Sequence, residues 1–134
     1  MSRVLAYTSP ARGHLFPLTP LLIELHRRGH QVAVRTLQSC VELMDDLGFE
    51  AAPIDARLES MPHEDWRGRS AQQRLARSVR TFTERAEYDA ADLADAIDSW
   101  QPDVVVVDIN SWGALAAAER WGGPWACFCP YPLA

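Results

Sequence analysis

Lysine is absent from the 134 residues, and all thirteen basic side chains other than histidine are arginine. That absence removes Schiff-base chemistry and the phosphate-binding lysine of P-loop enzymes. Glycine is scarce where a dinucleotide fingerprint needs three of them, because the loop after the first apolar run holds only Gly13. No Gly-x-Ser-x-Gly nucleophile elbow occurs either. Cysteine is rare: Cys40, Cys127 and Cys129 lack metal-ligand spacing, so all three are expected as buried small apolar residues in a reducing cytoplasm. The N-terminal apolar run is too short for an export signal, and nothing reaches the roughly 20 apolar residues of a membrane span. A formal charge of −5 argues against a nucleic-acid partner, since the arginines are scattered among acids instead of forming a basic face.

What remains is an alternation of short apolar runs and amphipathic stretches, in a chain long enough for one domain with a real core. Arg3 to Thr8 reads as a first strand, followed by a helix from about Leu15 to Arg28. Pro17 and Pro20 are expected in the first turns of that helix, with Leu18, Leu21, Leu22 and Leu25 as its apolar stripe and Gly29 as its stop. Gln31 to Thr36 forms a second strand, Ser39 caps a short helix ending at Gly48, and Phe49 to Ile54 forms a weaker third strand. Asp55 to Gly68 reads as an irregular loop. A helical period over Ser70 to Trp100 then places Leu75, Val79, Phe82, Ala86, Leu93, Ile97 and Trp100 on one face. Asp103 to Asp108, with four consecutive valines, is a strand buried on both faces. A last helix, capped by Asn110 or Ser111, runs through Trp121, and a fifth strand runs from Trp125 to Cys129 before Pro130 and Pro132. The expected fold is a doubly wound α/β domain with a mostly parallel, Rossmann-like sheet of order 3-2-1-4-5.

In that order strands one and four are neighbours at the point where the winding reverses, the usual ligand crevice of open α/β sheets. His14 follows strand one and Asp108 ends strand four, so residues 94 positions apart should flank the same crevice. An imidazole with a carboxylate on one nitrogen can take a proton from a hydroxyl at the other. The alternatives are a helix-start histidine bonded to backbone and a solvated or capping aspartate. His26 and His30 are expected to be structural or solvated, and His63 to be a solvated loop residue within reach of a ligand. Trp100, Trp121 and Trp125 are expected in the core, whereas Trp66 and Trp112 sit where an apolar ligand pocket could use them.

The run Gly13-His14-Leu15-Phe16-Pro17-Leu18-Thr19-Pro20-Leu21, continued by Leu25 and Arg28-Gly29-His30-Gln31-Val32, resembles the opening of GT-B-fold glycosyltransferases. Within them it is most similar to the UDP-glycosyltransferase superfamily, including bacterial enzymes that glycosylate macrolides and other natural products. Pro102 to Asp108 and the Gly123-Pro124-Trp125 turn resemble later landmarks of the same N-terminal domain. The resemblance implies that His14 is the general base for an acceptor hydroxyl and that Asp108 orients it, with inversion at the sugar carbon. It implies weaker acceptor contacts from Phe16, Trp66 and Trp112, and no metal or cofactor. The nucleotide-sugar donor is then a co-substrate held by a second, C-terminal domain. Residues 1–134 are accordingly expected to be an incomplete acceptor-binding domain, either a fragment or one subunit of a split enzyme, inactive alone and open to self-association through its truncated surface. The competing expectation is a noncatalytic Rossmann-like interaction module.

Overall fold

The computed structural model describes residues 1–131, so Pro132 lies outside the described residues. Five parallel strands, β1 (Arg3–Tyr7), β2 (Gln31–Thr36), β3 (Glu50–Pro53), β4 (Val104–Asp108) and β5 (Trp125–Phe128), form one sheet of order β3-β2-β1-β4-β5. This is the expected topology. The connecting helices are α1 (Arg12–Arg27), α2 (Val41–Asp46), α3 (Ala56–Glu59), α4 (Ala71–Trp100) and α5 (Trp112–Trp121).

Alternation along the strands sorts the core into two layers. Val4 and Ala6 of β1, Val32 and Val34 of β2 and Val106 of β4 meet Leu15, Leu18 and Leu22 of α1 and Met44 of α2. Leu5, Tyr7, Val105 and Val107 face the other way, onto Leu93, Ala96 and Ile97 of α4 and Ala114 and Ala118 of α5. Burial on both faces explains the unbroken valine run of β4, and each such side chain contributes roughly 1.5–3 kcal/mol. The alternation also dictates where Asp108 points. It lies two residues beyond Val106, hence on the α1 side.

Several local expectations are corrected. Helix α1 begins at Arg12, so His14 sits inside its first turn, and Pro17 and Pro20 are interior residues instead of first-turn ones. Both prolines lie on the exposed face, where water can reach the carbonyls of Gly13 and Phe16 that lose an amide donor. Leu21 leaves the stripe for solvent, while Leu15 joins it. Ser39 does not cap: it lies within a 3-10 turn, and its side chain makes no capping bond to the helix that follows. Asp55 to Gly68 is less irregular than expected, because Asp55 caps α3 through the amide of Arg57 and a second 3-10 turn spans Asp65–Arg67. At the amino end of α4, Leu75 and Val79 are exposed, so the expected stripe is buried only from Phe82 onward. Cys127 is exposed and Cys129 half-buried, because β5 is the sheet edge; only Cys40 is a core cysteine. Trp100, Trp121 and Trp125 pack against the core but are only partly buried.

The face of α4 turned to the sheet carries a polar cluster with no sequence expectation behind it. Arg85 and Asp89, one helical turn apart, are 5% and 1% exposed. The Tyr7 hydroxyl lies 2.9 Å from Asp92 Oδ2 and 3.4 Å from Asp89 Oδ1. One hydroxyl proton cannot serve both carboxylates. A protonated Asp89 resolves the conflict, donating to the Tyr7 oxygen while Tyr7 donates to Asp92. Burial pushes the Asp89 carboxyl up to about 7, which agrees with that arrangement.

Its stability consequence has a definite sign. Below about pH 4 the group is neutral in both folded and unfolded chains; between about pH 4 and 7 only the unfolded chain ionises, so this group's contribution is lost as pH rises through that window. Asp89→Asn, permanently neutral, is expected to gain about 4 kcal/mol relative to wild type between pH 4 and pH 8. Urea unfolding of both proteins at the two pH values measures it; a difference that stays constant with pH rejects a protonated Asp89.

Candidate active site

The crevice between β1 and β4 is built by register. Tyr7 pairs with Val107, so the chain leaving β1 passes beside Asp108 as β4 ends. The loop from Thr8 to Pro10 turns at once into α1, whose amino end is held by the amides of His14 and Leu15 donating to the Ala11 carbonyl. His14, third in the helix, is thereby directed toward the face that Asp108 shares.

The two side chains meet: His14 Nδ1 lies 2.6 Å from Asp108 Oδ2. Asp108 is fully buried and His14 is 7% exposed. Every remaining contact of the carboxylate is a donor, with the Asn110 amide 2.7 Å from Oδ1 and the Ser9 hydroxyl 3.3 Å from Oδ2. An acceptor-only environment of this kind holds a proton on His14 Nδ1 and leaves a lone pair on Nε2. At Nε2 the structure places a hydroxyl, that of Tyr131, at 2.6 Å, and Asn110 Nδ2 donates to the same hydroxyl oxygen from 3.0 Å. The arrangement can accept a proton from an oxygen at Nε2 while Asp108 stabilises the imidazolium that forms.

The other candidates are carried by three different elements. Phe16 is 48% exposed on α1 two residues past His14, and Trp66 is 68% exposed with the Arg67 guanidinium 5.1 Å from its ring centroid. Trp112 opens α5 two residues after Asn110 and leans on Phe82, with centroids 5.5 Å apart. Phe82 in turn stacks on His63 at 4.9 Å. His63 is therefore not a free loop side chain: its Nε2 is also 2.7 Å from the Ser78 hydroxyl. His26 is exposed and edge-on to Phe49, and His30 Nδ1 accepts from the Ser2 amide, both structural as expected. An apolar groove of about 560 Å³ between α4 and α5 is lined by Ala94, Ile97, Ala117 and Trp121 and includes none of the His14, Asp108 or Asn110 side chains.

Sequence reading missed two members of the site. Asn110 was legible only as a helix cap, yet its place two residues after Asp108 puts it in the same crevice. Tyr131 follows β5, the neighbour of β4, so the strand order alone brings its loop to the same sheet edge.

No protein-family model matches the chain. It is 31% identical over 130 residues to an L-demethylnoviosyl transferase of Streptomyces niveus, an alignment covering 92% of this chain and 33% of that protein. It is also 31% identical over 132 residues to a 4'-demethylrebeccamycin synthase of Lentzea aerocolonigenes, covering 92% and 31%. The kitacinnamycin glycotransferase structure superposes with a TM-score of 0.75 at 26% identity, covering 96% of this chain and 30% of the other. The chain is homologous to natural-product glycosyltransferases. Its sheet is that of the GT-B glycosyltransferase fold, as the sequence resemblance implied. The chain spans about a third of the length of the curated glycosyltransferases it matches. A Streptomyces sp. SF2575 glycosyltransferase solved with thymidine diphosphate shares the fold with a TM-score of 0.72 at 21% identity. Among the described residues, no helix is long and apolar enough to cross a membrane.

Proposed function

We propose that this chain is the acceptor-binding part of an inverting glycosyltransferase that moves a sugar from a nucleotide sugar to a hydroxyl of a small natural-product-like molecule. The observation that carries the reading is the hydroxyl at His14 Nε2 with a buried carboxylate at Nδ1. In the reaction the acceptor oxygen forms a bond to the anomeric carbon while its proton passes to His14 Nε2. The bond from that carbon to the diphosphate breaks, its electron pair leaves with the diphosphate, and Asp108 offsets the charge on the imidazolium. Attack from the face opposite the leaving group inverts the carbon. Residues 1–134 supply the base and the acceptor side, with Phe16, Trp66 and Trp112 as apolar contacts, and a nucleotide-sugar-binding domain supplies the donor.

Homology to natural-product glycosyltransferases over a third of their length supports this division of labour. The test is a mass-spectrometric screen of acceptors with several nucleotide sugars, run on the purified 134 residues and on the same residues joined to a donor-binding domain. Transfer is expected only from the joined protein. Turnover by the 134 residues alone contradicts the proposed division.

A further inference from the structure

The hydroxyl that occupies the base belongs to the protein itself. Tyr131 places its phenol oxygen 2.6 Å from His14 Nε2 and 3.0 Å from Asn110 Nδ2, with its ring edge-on to the imidazole at a centroid distance of 5.3 Å. With the Nδ1 proton of a neutral His14 given to Asp108, Nε2 accepts and the Tyr131 O–H donates to it at the shorter distance. Asn110 Nδ2, a donor only, gives one proton to the phenol oxygen and also lies 3.3 Å from Nε2 itself, so the amide and the hydroxyl converge on the same lone pair. Tyr131 keeps its proton readily, since partial burial, reinforced by the Asp108 charge, raises it above the ordinary phenol value. Yet the side chain is half exposed, and what ties it to the crevice among the described residues is its pair of polar bonds and one aromatic edge.

We infer that His14 Nε2 and Asn110 Nδ2 form a two-point receptor for a phenolic hydroxyl, and that Tyr131 is its internal occupant, displaced by an acceptor of the same chemistry. The inference rests on the proposed acceptor role of this crevice and names its substrate class. Asn110 is the new functional residue. As a phenol gives up its proton, charge grows on the oxygen, and a donor already aimed at that atom binds the developing phenolate more tightly than the neutral phenol. A phenol is favoured over an aliphatic alcohol because its planar ring reproduces the edge contact with the imidazole and its oxygen carries that charge more easily. Tyr131 competes for the same two groups. If it fills the receptor in about four of five molecules, it weakens apparent affinity for an external phenol about fivefold.

The test follows the His14 ring resonances of the 134-residue protein by NMR during titration with phenol or with cyclohexanol. Tyr131→Ala clears the receptor and is expected to lower the phenol concentration at half-saturation about fivefold or more relative to wild type. Cyclohexanol is expected to bind at least fivefold more weakly than phenol. Adding Asn110→Ala to Tyr131→Ala is expected to abolish the gain, with circular dichroism confirming that each variant remains folded. Tyr131→Phe keeps the ring but loses both polar bonds, and it should recover part of the gain. Equal phenol binding by wild type and Tyr131→Ala overturns the internal occupant, and equal binding of phenol and cyclohexanol overturns the assigned class. No sugar enters these measurements. Failure of sugar transfer by the joined protein therefore counts against the glycosyltransferase reading alone, and failure of phenol binding against this receptor alone.

Discussion

Gly113→Ala is expected to destabilise the protein by about 3 kcal/mol or more. Gly113 is the second residue of α5, and an ideal Cβ there lies 1.7 Å from the Ala86 carbonyl oxygen and 2.5 Å from the Ala86 carbonyl carbon. Both are backbone atoms of α4. A flexible side chain could swing aside at small cost, but here one helix must retreat from the other. The neighbours leave no slack, because Ala114 and Ala118 are fully buried in the same layer with Leu93, Ala96 and Ile97. Gly29→Ala offers a control of a different kind. Nothing lies within 4 Å of its Cβ position, so only its left-handed φ of +88° is strained, at about 1 kcal/mol. Thermal unfolding should place Gly113→Ala about 10 °C below wild type and Gly29→Ala only a few degrees below it. A Gly113→Ala protein within about 2 °C of wild type means that α4 and α5 do not pack at the distance shown.

That close approach was not legible in the sequence, although much around it was. The glycine at 113 is silent until α4 and α5 are placed side by side, because its constraint comes from a backbone 27 positions away. The sheet was legible for the opposite reason: each strand carries its own apolar run, and the order follows from general rules of connection and handedness. The pairing of His14 with Asp108 was legible through that order, before any side chain was placed. Errors cluster where two local signals compete. Pro17 and Pro20 suggested a helix start, but burial of His14, Leu15 and Leu18 draws the start back to Arg12, and the prolines are tolerated on the wet face. Cys127 and Cys129 are of an interior residue type, yet Cys127 lies on the edge strand and Cys129 just past its end. Arg85, Asp89 and Tyr7 form a buried polar group that helical periodicity cannot reveal, since periodicity reads only apolar faces. Asn110 and Tyr131 needed side-chain geometry.

His14→Ala, made in the protein that transfers sugar, is expected to lower turnover by about 10² or more while leaving the Michaelis constant for the nucleotide sugar nearly unchanged. Asp108→Asn is the more informative partner. The carboxylate meets three donors, at His14 Nδ1, the Ser9 hydroxyl and the Asn110 amide. A carboxamide has one acceptor oxygen and one NH2 group, so it cannot face both sides correctly. If its oxygen meets the Asn110 amide, its NH2 points at His14 Nδ1, which must then surrender its proton to Nε2, and the base can no longer accept from a hydroxyl there. If its oxygen meets His14 instead, the NH2 group confronts the Asn110 amide, and the loop carrying Asn110 Nδ2 is displaced. Either orientation lowers turnover, by roughly 10²–10⁴ where a wrong tautomer results. The double variant then discriminates between mechanisms. If Asp108 acts only through His14, the double variant should be no worse than His14→Ala within about threefold. Single-turnover kinetics of the two single variants and the double variant test this, and multiplicative losses assign Asp108 a task separate from His14.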